Sequence, residues 1–525
     1  MRRVIGATVT AAAVVLLTAG LATGSLGPGG GSGSLSAKSP QAQAAKAAVK
    51  GTVTIAIGSD PGSLDPQLGL LSTTRQVNNF GYDTLLHITG PGQVRSGLAK
   101  SWKVLSTTKV RFTLVRGATC SDGSAMNASV VKRNLDFVSD PKNKSPLLGV
   151  FVPPNMTVTA NNRTRTVIAT SKTPNPFPLQ GLGLVQMVCT RGLNNRSLLV
   201  HRAIGSGPYR LTQAVSGDHY TFQVRKGYHW GSGGGTTAAL PSKIVFKVVA
   251  NETTTANLLL SHGVNIGTII GPDRSRLNRA KLYKVTLAAT PNEFWFNQNR
   301  GHAAANAGIR RGLVQSLRLA QIGSVITSGR GAPIRTLTSQ AFTPCAGNSV
   351  KGSIPAYNPS AASAALSSHP AIRVIYPSDF GASITAAMEL LQAQLSATGA
   401  RVTLVGGTET DLTTALFGTG NWDIAFAPVT LLNPSQLVGL VSGPAPPNGA
   451  NFSNIDNGTY KSLSTSAEGK FGAAACRDWI RAEASLMKNS DVAPTNVLTS
   501  ATYGSRARFK LDAAGIIPTS VRITK

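Results

Sequence analysis

The stretch from Ala371 to Ala427 constrains the fold more than any other part of the chain. Ile372-Arg373-Val374-Ile375-Tyr376 has the β-branched density of a strand, and Ile384, Ala387, Met388, Leu391 and Leu395 then recur at helical spacing. Arg401-Val402-Thr403-Leu404-Val405 alternates as a second strand, Asp411 to Phe417 makes a short helix, and Trp422 to Ala427 returns as a third strand. Strands joined in this way through helices form a parallel sheet with right-handed crossovers. In such sheets ligands sit beyond the carboxyl ends of the strands. The rule nominates two loops, Pro377 to Phe380 with Asp379, and Pro428 to Asn433 with Thr430, Leu432 and Asn433. It also nominates the turn Gly58-Ser59-Asp60-Pro61-Gly62 after the strand Val53 to Ile57, for which the plain reading is a tight bend favoured by Asp, Pro and Gly.

The amino-terminal region reads as an address and a tether. Arg2 and Arg3 precede an uncharged run from Val4 to Gly24, the pattern of an export signal. Residues 1–24 are either a cleaved signal or an uncleaved anchor, because a run of this length also suffices to span a bilayer. Ser25 to Lys50 is a Gly/Ser/Ala-rich linker too poor in apolar residues to bury a core. No Cys occurs before Cys120, so the chain reads as exported but not as a lipoprotein.

Lys and Arg number 51 against 21 Asp and Glu, and all five charges before residue 51 are basic, leaving 46 against 21 beyond it. The excess is uneven, since neither 141–217 nor 294–378 contains an acidic residue. Such a surface attracts anions through its field or is simply solvated. The basic residues lack the interleaved aromatics of single-strand binders and a basic recognition helix, so nucleic acid is not expected as a partner. No nucleophile elbow, zinc-protease motif or phosphate loop is present, and the seven His make no i, i+4 pair. The chain is read as a non-enzyme without cofactor or metal.

Beyond these patterns, motifs occur in a familiar order: the strand and turn at 53–66, Gly97-Leu98-Ala99-Lys100-Ser101-Trp102, Ser121-Asp122-Gly123, Gly205-Ser206-Gly207-Pro208-Tyr209, Phe294-Trp295-Phe296-Asn297, Ile309 to Leu313 and Pro355 to Pro359. In that order they resemble the extracellular solute-binding proteins of family 5, the peptide and nickel receptors of ABC importers, and the contexts of Cys120 and Cys189 look like an actinobacterial branch. The resemblance implies a bilobal periplasmic-binding fold of the larger type. Lobe I would span about 51–293 with an extra subdomain at about 95–204, lobe II about 294–489, and 490–525 would return to lobe I. Four Cys in an exported chain suggest two disulfides. Because a bridge across a moving cleft would lock it, pairing within lobes, Cys120 with Cys189 and Cys345 with Cys476, is expected, with four free thiols as the alternative.

The implied activity is capture of a small polar solute, oligopeptide-like or otherwise organic, by lobe closure and its delivery to a membrane permease by a monomeric receptor. The competing reading is a cell-envelope scaffold or regulator that kept the fold and binds anionic polymers through its basic faces. Tyr82, Trp295, Asn297 and Asn451 are expected at the cleft, with core or hinge packing as the other reading of each. Thr430 stands where family members that bind free peptides carry an Asp for the ligand's amino terminus. That replacement removes the counter-charge an ammonium group needs.

Overall fold

The computed structural model describes residues 51–69, 72–231 and 237–524. The readings made for residues 1–24 and 25–50 fall outside them. No helix among the described residues is long and apolar enough to cross a membrane.

One ten-stranded sheet organises the molecule. In chain order its strands are β1 (Thr52–Ile57), β2 (Tyr209–Val215), β3 (His219–Val224), β4 (Lys243–Val248), β5 (Ile266–Ile269), β6 (Tyr283–Phe296), β7 (Ala371–Pro377), β8 (Arg401–Gly407), β9 (Ile424–Phe426) and β10 (Val492–Gly504). Their spatial order is β8-β7-β9-β6-β10-β5-β1-β4-β3-β2. β7 runs parallel to both β8 and β9, as the alternation of strand and helix predicts. The helix between β7 and β8, Ala382–Ser396, buries Ile384, Ala387, Met388, Leu391 and Leu395, the stripe read from the sequence. A capping box between Thr408 and Asp411 starts the short helix Glu409–Thr414 that leads toward β9.

β6 and β10 are the longest strands of the sheet, with 14 and 13 residues, and they are antiparallel to each other. Their outer halves are flanked differently. Residues 501–504 of β10 pair with β5 on one side, whereas residues 294–296 of β6 pair with β9 on the other. Between these zones the pair carries register shifts at Ala288/Thr290 and Pro291/Glu293. Such shifts in this two-stranded ribbon are β-bulges or irregularities, which bend a strand and raise its local twist.

The cores follow the same division. One cluster packs Val53 and Ile55 of β1 with Phe80, Phe112, Phe222 and Phe246. Beyond the ribbon, Phe294 and Phe296 point into a cluster with Val374 and Leu391, while Trp295 points to the opposite face, into a cluster with Trp422, Phe452 and Leu486. That alternation is the two-residue period of a strand buried on both faces. A separate four-stranded sheet, formed by Ala99–Ser106, Lys109–Leu114, Thr157–Asn161 and Thr166–Thr170, stands outside the main one.

Disulfides join Cys120 to Cys189 and Cys345 to Cys476, across sequence separations of 69 and 131 residues. Closing loops of these lengths contributes about 4–5 kcal/mol each in the chain-entropy account. The Gly-Ser-Gly-Pro-Tyr element has a steric reason: a Cβ on Gly205 would lie 2.4 Å from the Gly81 carbonyl oxygen, and one on Gly207 2.6 Å from the Gly81 carbonyl carbon. Only glycine allows the backbones to approach so closely.

Candidate ligand-binding cleft

The carboxyl ends of β1, β7 and β9 supply the loops in which a ligand is sought. After β1 the turn is held by Asp60. Its Oδ1 accepts from the Gly62 amide at 2.7 Å, and its Oδ2 accepts from the Tyr220 hydroxyl at 2.8 Å and from the Gly217 amide. Burial alone would raise the Asp60 pKa, but the hydrogen bonds from Gly217, Gly62 and Tyr220 hold it below the usual carboxylate value. The carboxylate thus pins the turn to the β2–β3 hairpin. Ser59 lies beside it at the surface, its hydroxyl 3.0 Å from that of Thr73.

After β9 the loop at 428–433 reaches across the molecule. Thr430 is buried, with its hydroxyl 2.8 Å from that of Thr290 in the bulged part of β6, so the loop is tied to the ribbon. Leu432 is also buried and joins the core built around β1, together with Phe342. Gln436 clamps the loop from behind: its Oε1 accepts from the Leu432 amide at 2.7 Å and its Nε2 donates to the Val150 carbonyl at 2.8 Å. Asn433, Ser435 and Gln436 face Val150, Phe151 and Val152 across a gap of about 140 Å³. A larger hollow of about 560 Å³ lies beside the second disulfide, near Pro344, Phe471 and Cys476, and not at the ends of these strands. Asp379 falls in the short turn Ser378–Phe380 that follows β7.

Four other candidates are engaged by the fold itself. The Tyr82 hydroxyl donates within reach of the Leu64 and Arg202 carbonyls and accepts from the Ile204 amide at 3.1 Å, and burial pushes its pKa up. Trp295 Nε1 donates to the Ala427 carbonyl at 2.9 Å, and its ring meets Phe452 edge-on. Asn297 Nδ2 donates to the Trp422 and Gly420 carbonyls at 2.7 and 3.1 Å, and its Oδ1 accepts from the Asn299 amide. Asn451 Nδ2 donates to the Gly443 and Ile455 carbonyls, both at 3.0 Å, and its Oδ1 accepts from the Ile455 amide. These residues were placed at the cleft by resemblance. In the structure they hold backbone and pack cores, because a buried carbonyl needs a donor and these side chains supply it.

Two charged residues absent from the sequence reading stand out by their burial. Glu293, in β6 between the bulge and the β9 pairing, is 1% exposed, accepts from the Val429 amide, and leaves Oε2 without a partner. Burial first, and then the nearby Glu483 carboxyl, push its pKa well above the ordinary value. Arg75, on the helix Ser72–Gly81 that follows the β1 turn, is 2% exposed. Single polar residues in an otherwise mixed sequence carry no periodic signal, so neither was recognisable before folding.

Compared with known proteins, residues 93–438, more than half of the chain, match the profile described as bacterial extracellular solute-binding proteins, family 5 Middle. A glutathione-binding protein of Pectobacterium atrosepticum is 28% identical over 245 residues, 45% of this chain and 46% of that one. A probable deoxycholate-binding periplasmic protein of Escherichia coli is 35% identical over 92 residues, 17% of each chain. The chain thus spans less than half the length of each of these two relatives. A solved substrate-binding protein of Microbacterium hydrocarbonoxydans, complexed with 4-hydroxybenzoate hydrazide, superposes with a TM-score of 0.77 at 25% identity, covering 90% of this chain and 100% of that one.

Proposed function

The chain belongs to the bacterial extracellular solute-binding proteins, family 5, and from that premise we propose that it is the receptor of an ABC importer. It works outside the cytoplasm as a monomer, closes two lobes over a small polar organic solute, and hands the solute unchanged to a membrane permease. The observation that carries this reading is the β6–β10 ribbon. Among the described residues it is the one strand pair linking the two halves of the main sheet, and it is bulged where no other named strand flanks it. In this reading lobe I comprises about 51–293 with the returning segment 490–525, and lobe II about 294–489.

The ligand surface is proposed to lie around the β1 turn with Ser59, the turn with Asp379, and the loop with Asn433. Thr430 and Leu432 shape this surface by holding the loop, and Asp60 does the same for the β1 turn. Thr430 has no charge to offer an ammonium group, and its hydroxyl already meets Thr290. A free peptide amino terminus therefore finds no counter-ion there. A neutral or anionic solute suits the loop better.

The test is small-angle scattering on the purified protein with and without solutes, joined to native mass spectrometry of the protein as isolated. Capture predicts a smaller radius of gyration with ligand and a removable adduct of small-molecule mass. A particle whose dimensions ignore every solute, isolated without an adduct, would remove the receptor reading.

A further inference from the structure

Arg75 is a buried cation to which no carboxylate bonds among the described residues. It lies on the first helix after β1, and that helix is fastened to the β1 turn by the Thr74 hydroxyl, which donates to the Pro61 carbonyl at 2.5 Å. Among the described residues its guanidinium makes one hydrogen bond, a long one from Nη2 to the Leu184 carbonyl at 3.5 Å, and Nε has no partner although it is closed off from solvent. Asp512 is the acid whose field reaches it. Both Asp512 oxygens are occupied, Oδ2 with His87 at 2.7 Å and Oδ1 with the Ala514 amide at 2.8 Å. What remains is the face of Phe151, whose ring centroid lies 4.9 Å from the guanidinium carbon.

Phe151 belongs to the wall of the gap opposite Asn433 and Ser435. The guanidinium therefore stands one ring behind the place where the two lobes meet, beside a strand end of the kind that forms ligand sites. A buried charge with a single weak bond is costly, and burial lowers the Arg75 pKa to about 10. A planar fork with a free edge matches a carboxylate, which it can grip through two parallel N–H bonds.

We propose that Arg75 is the specificity determinant of the solute site, and that the solute carries a carboxylate which becomes the counter-ion of its guanidinium as the lobes close. This rests on the receptor reading above and narrows it from small polar solutes to organic anions. Leu184 and Phe151 orient the fork, and the carboxylate reaches it from the gap past the Phe151 ring, pairing with the Nε–H that no described residue accepts. The loop that carries Thr430 offers no charge to an ammonium group, so it and the Arg75 fork favour the same charge class.

The experiment uses the full chain and three matched pairs of probes: trialanine and its carboxyl-terminal amide, benzoate and benzamide, glutarate and glutaramide. Binding is read by thermal shift and by intrinsic fluorescence titration for wild type, Arg75→Met and Arg75→Lys. At least one acid is expected to bind while its amide binds at least tenfold more weakly. Arg75→Met should lose about ten- to a hundredfold in affinity for that acid. Without ligand it should melt at or above the wild-type temperature, and Arg75→Lys should recover part of the binding. An acid and its amide binding within threefold of each other would overturn the inference and leave solute capture standing. Arg75→Met that keeps the acid affinity would do the same, as would unliganded melting several degrees below wild type, the mark of a purely structural cation. If none of the six probes shifts the wild type the inference falls, and the receptor reading falls with it if scattering shows no compaction with any solute and the isolated protein carries no adduct.

Discussion

Arg196 and Arg75 occupy similar settings with opposite outcomes. Each guanidinium lies on a phenylalanine ring, Arg196 over Phe137 with 3.7 Å to the ring centroid and Arg75 over Phe151 with 4.9 Å. Arg196 forks onto both oxygens of Asp65, which is 3% exposed, and adds a bond to Gln67 Oε1 at 3.2 Å. Among the described residues Arg75 has no acid bonded to it and one long contact to a carbonyl. The acids show the same contrast. Glu483 accepts from the Thr336 hydroxyl, the Leu337 amide and the Ser349 hydroxyl, while Glu293 leaves one oxygen unpaired. Pairing marks a charge that serves the fold, whereas a buried charge left open marks a place where the fold waits for something else or tolerates a cost.

The largest expected effect tests the satisfied member of the pair. Arg196→Met leaves Asp65 buried without its counter-ion and should lower unfolding free energy by about 3–5 kcal/mol in urea denaturation. Under the same conditions Arg75→Met should change it by no more than about 0.5 kcal/mol, or raise it, because it gives up one long bond to the Leu184 carbonyl and removes a buried charge. Equal losses would break the comparison. Next comes Glu483→Leu, which strands three donors and should cost about 2–3 kcal/mol by the same measurement.

Glu293→Gln tests the acid with the unpaired oxygen through pH, although burial raises both carboxyls. A carboxyl whose folded pKa is raised adds stability fully below its unfolded pKa and loses it as pH climbs through the folded value. Wild-type stability should therefore fall as pH rises above the ordinary value of 4.5. Glu293→Gln should flatten that decline by up to about 1.4 kcal/mol per pH unit in urea titrations across pH. An unchanged slope would mean that Glu293 titrates normally. The smallest effect is expected at Asp60, whose bonds lie near the surface. Asp60→Asn should cost about 1 kcal/mol or less at neutral pH, with a slightly weaker acid dependence than wild type.

Much of the architecture was legible because it is written in periodicity. The apolar spacing in 371–427 demanded strands and helices in alternation, and β7, β8 and β9 run parallel as that pattern requires. The pairing of Cys120 with Cys189 and of Cys345 with Cys476 is the one expected from the sequence. Side-chain roles were far less legible. Asn297 and Asn451 are expected at the cleft by resemblance, yet carbonyls at Trp422, Gly420, Gly443 and Ile455 absorb their donors.

What the sequence determined by itself is therefore local and repetitive: strand and helix type, the turn after β1, and the order of motifs that places the chain in its family. Only the tertiary structure decided which charges find partners. Asp65 and Arg196 lie 131 residues apart, and Arg75 and Leu184 lie 109 apart. Whether a side chain is satisfied depends on what long-range packing brings within about 3 Å of it, and no local pattern encodes that.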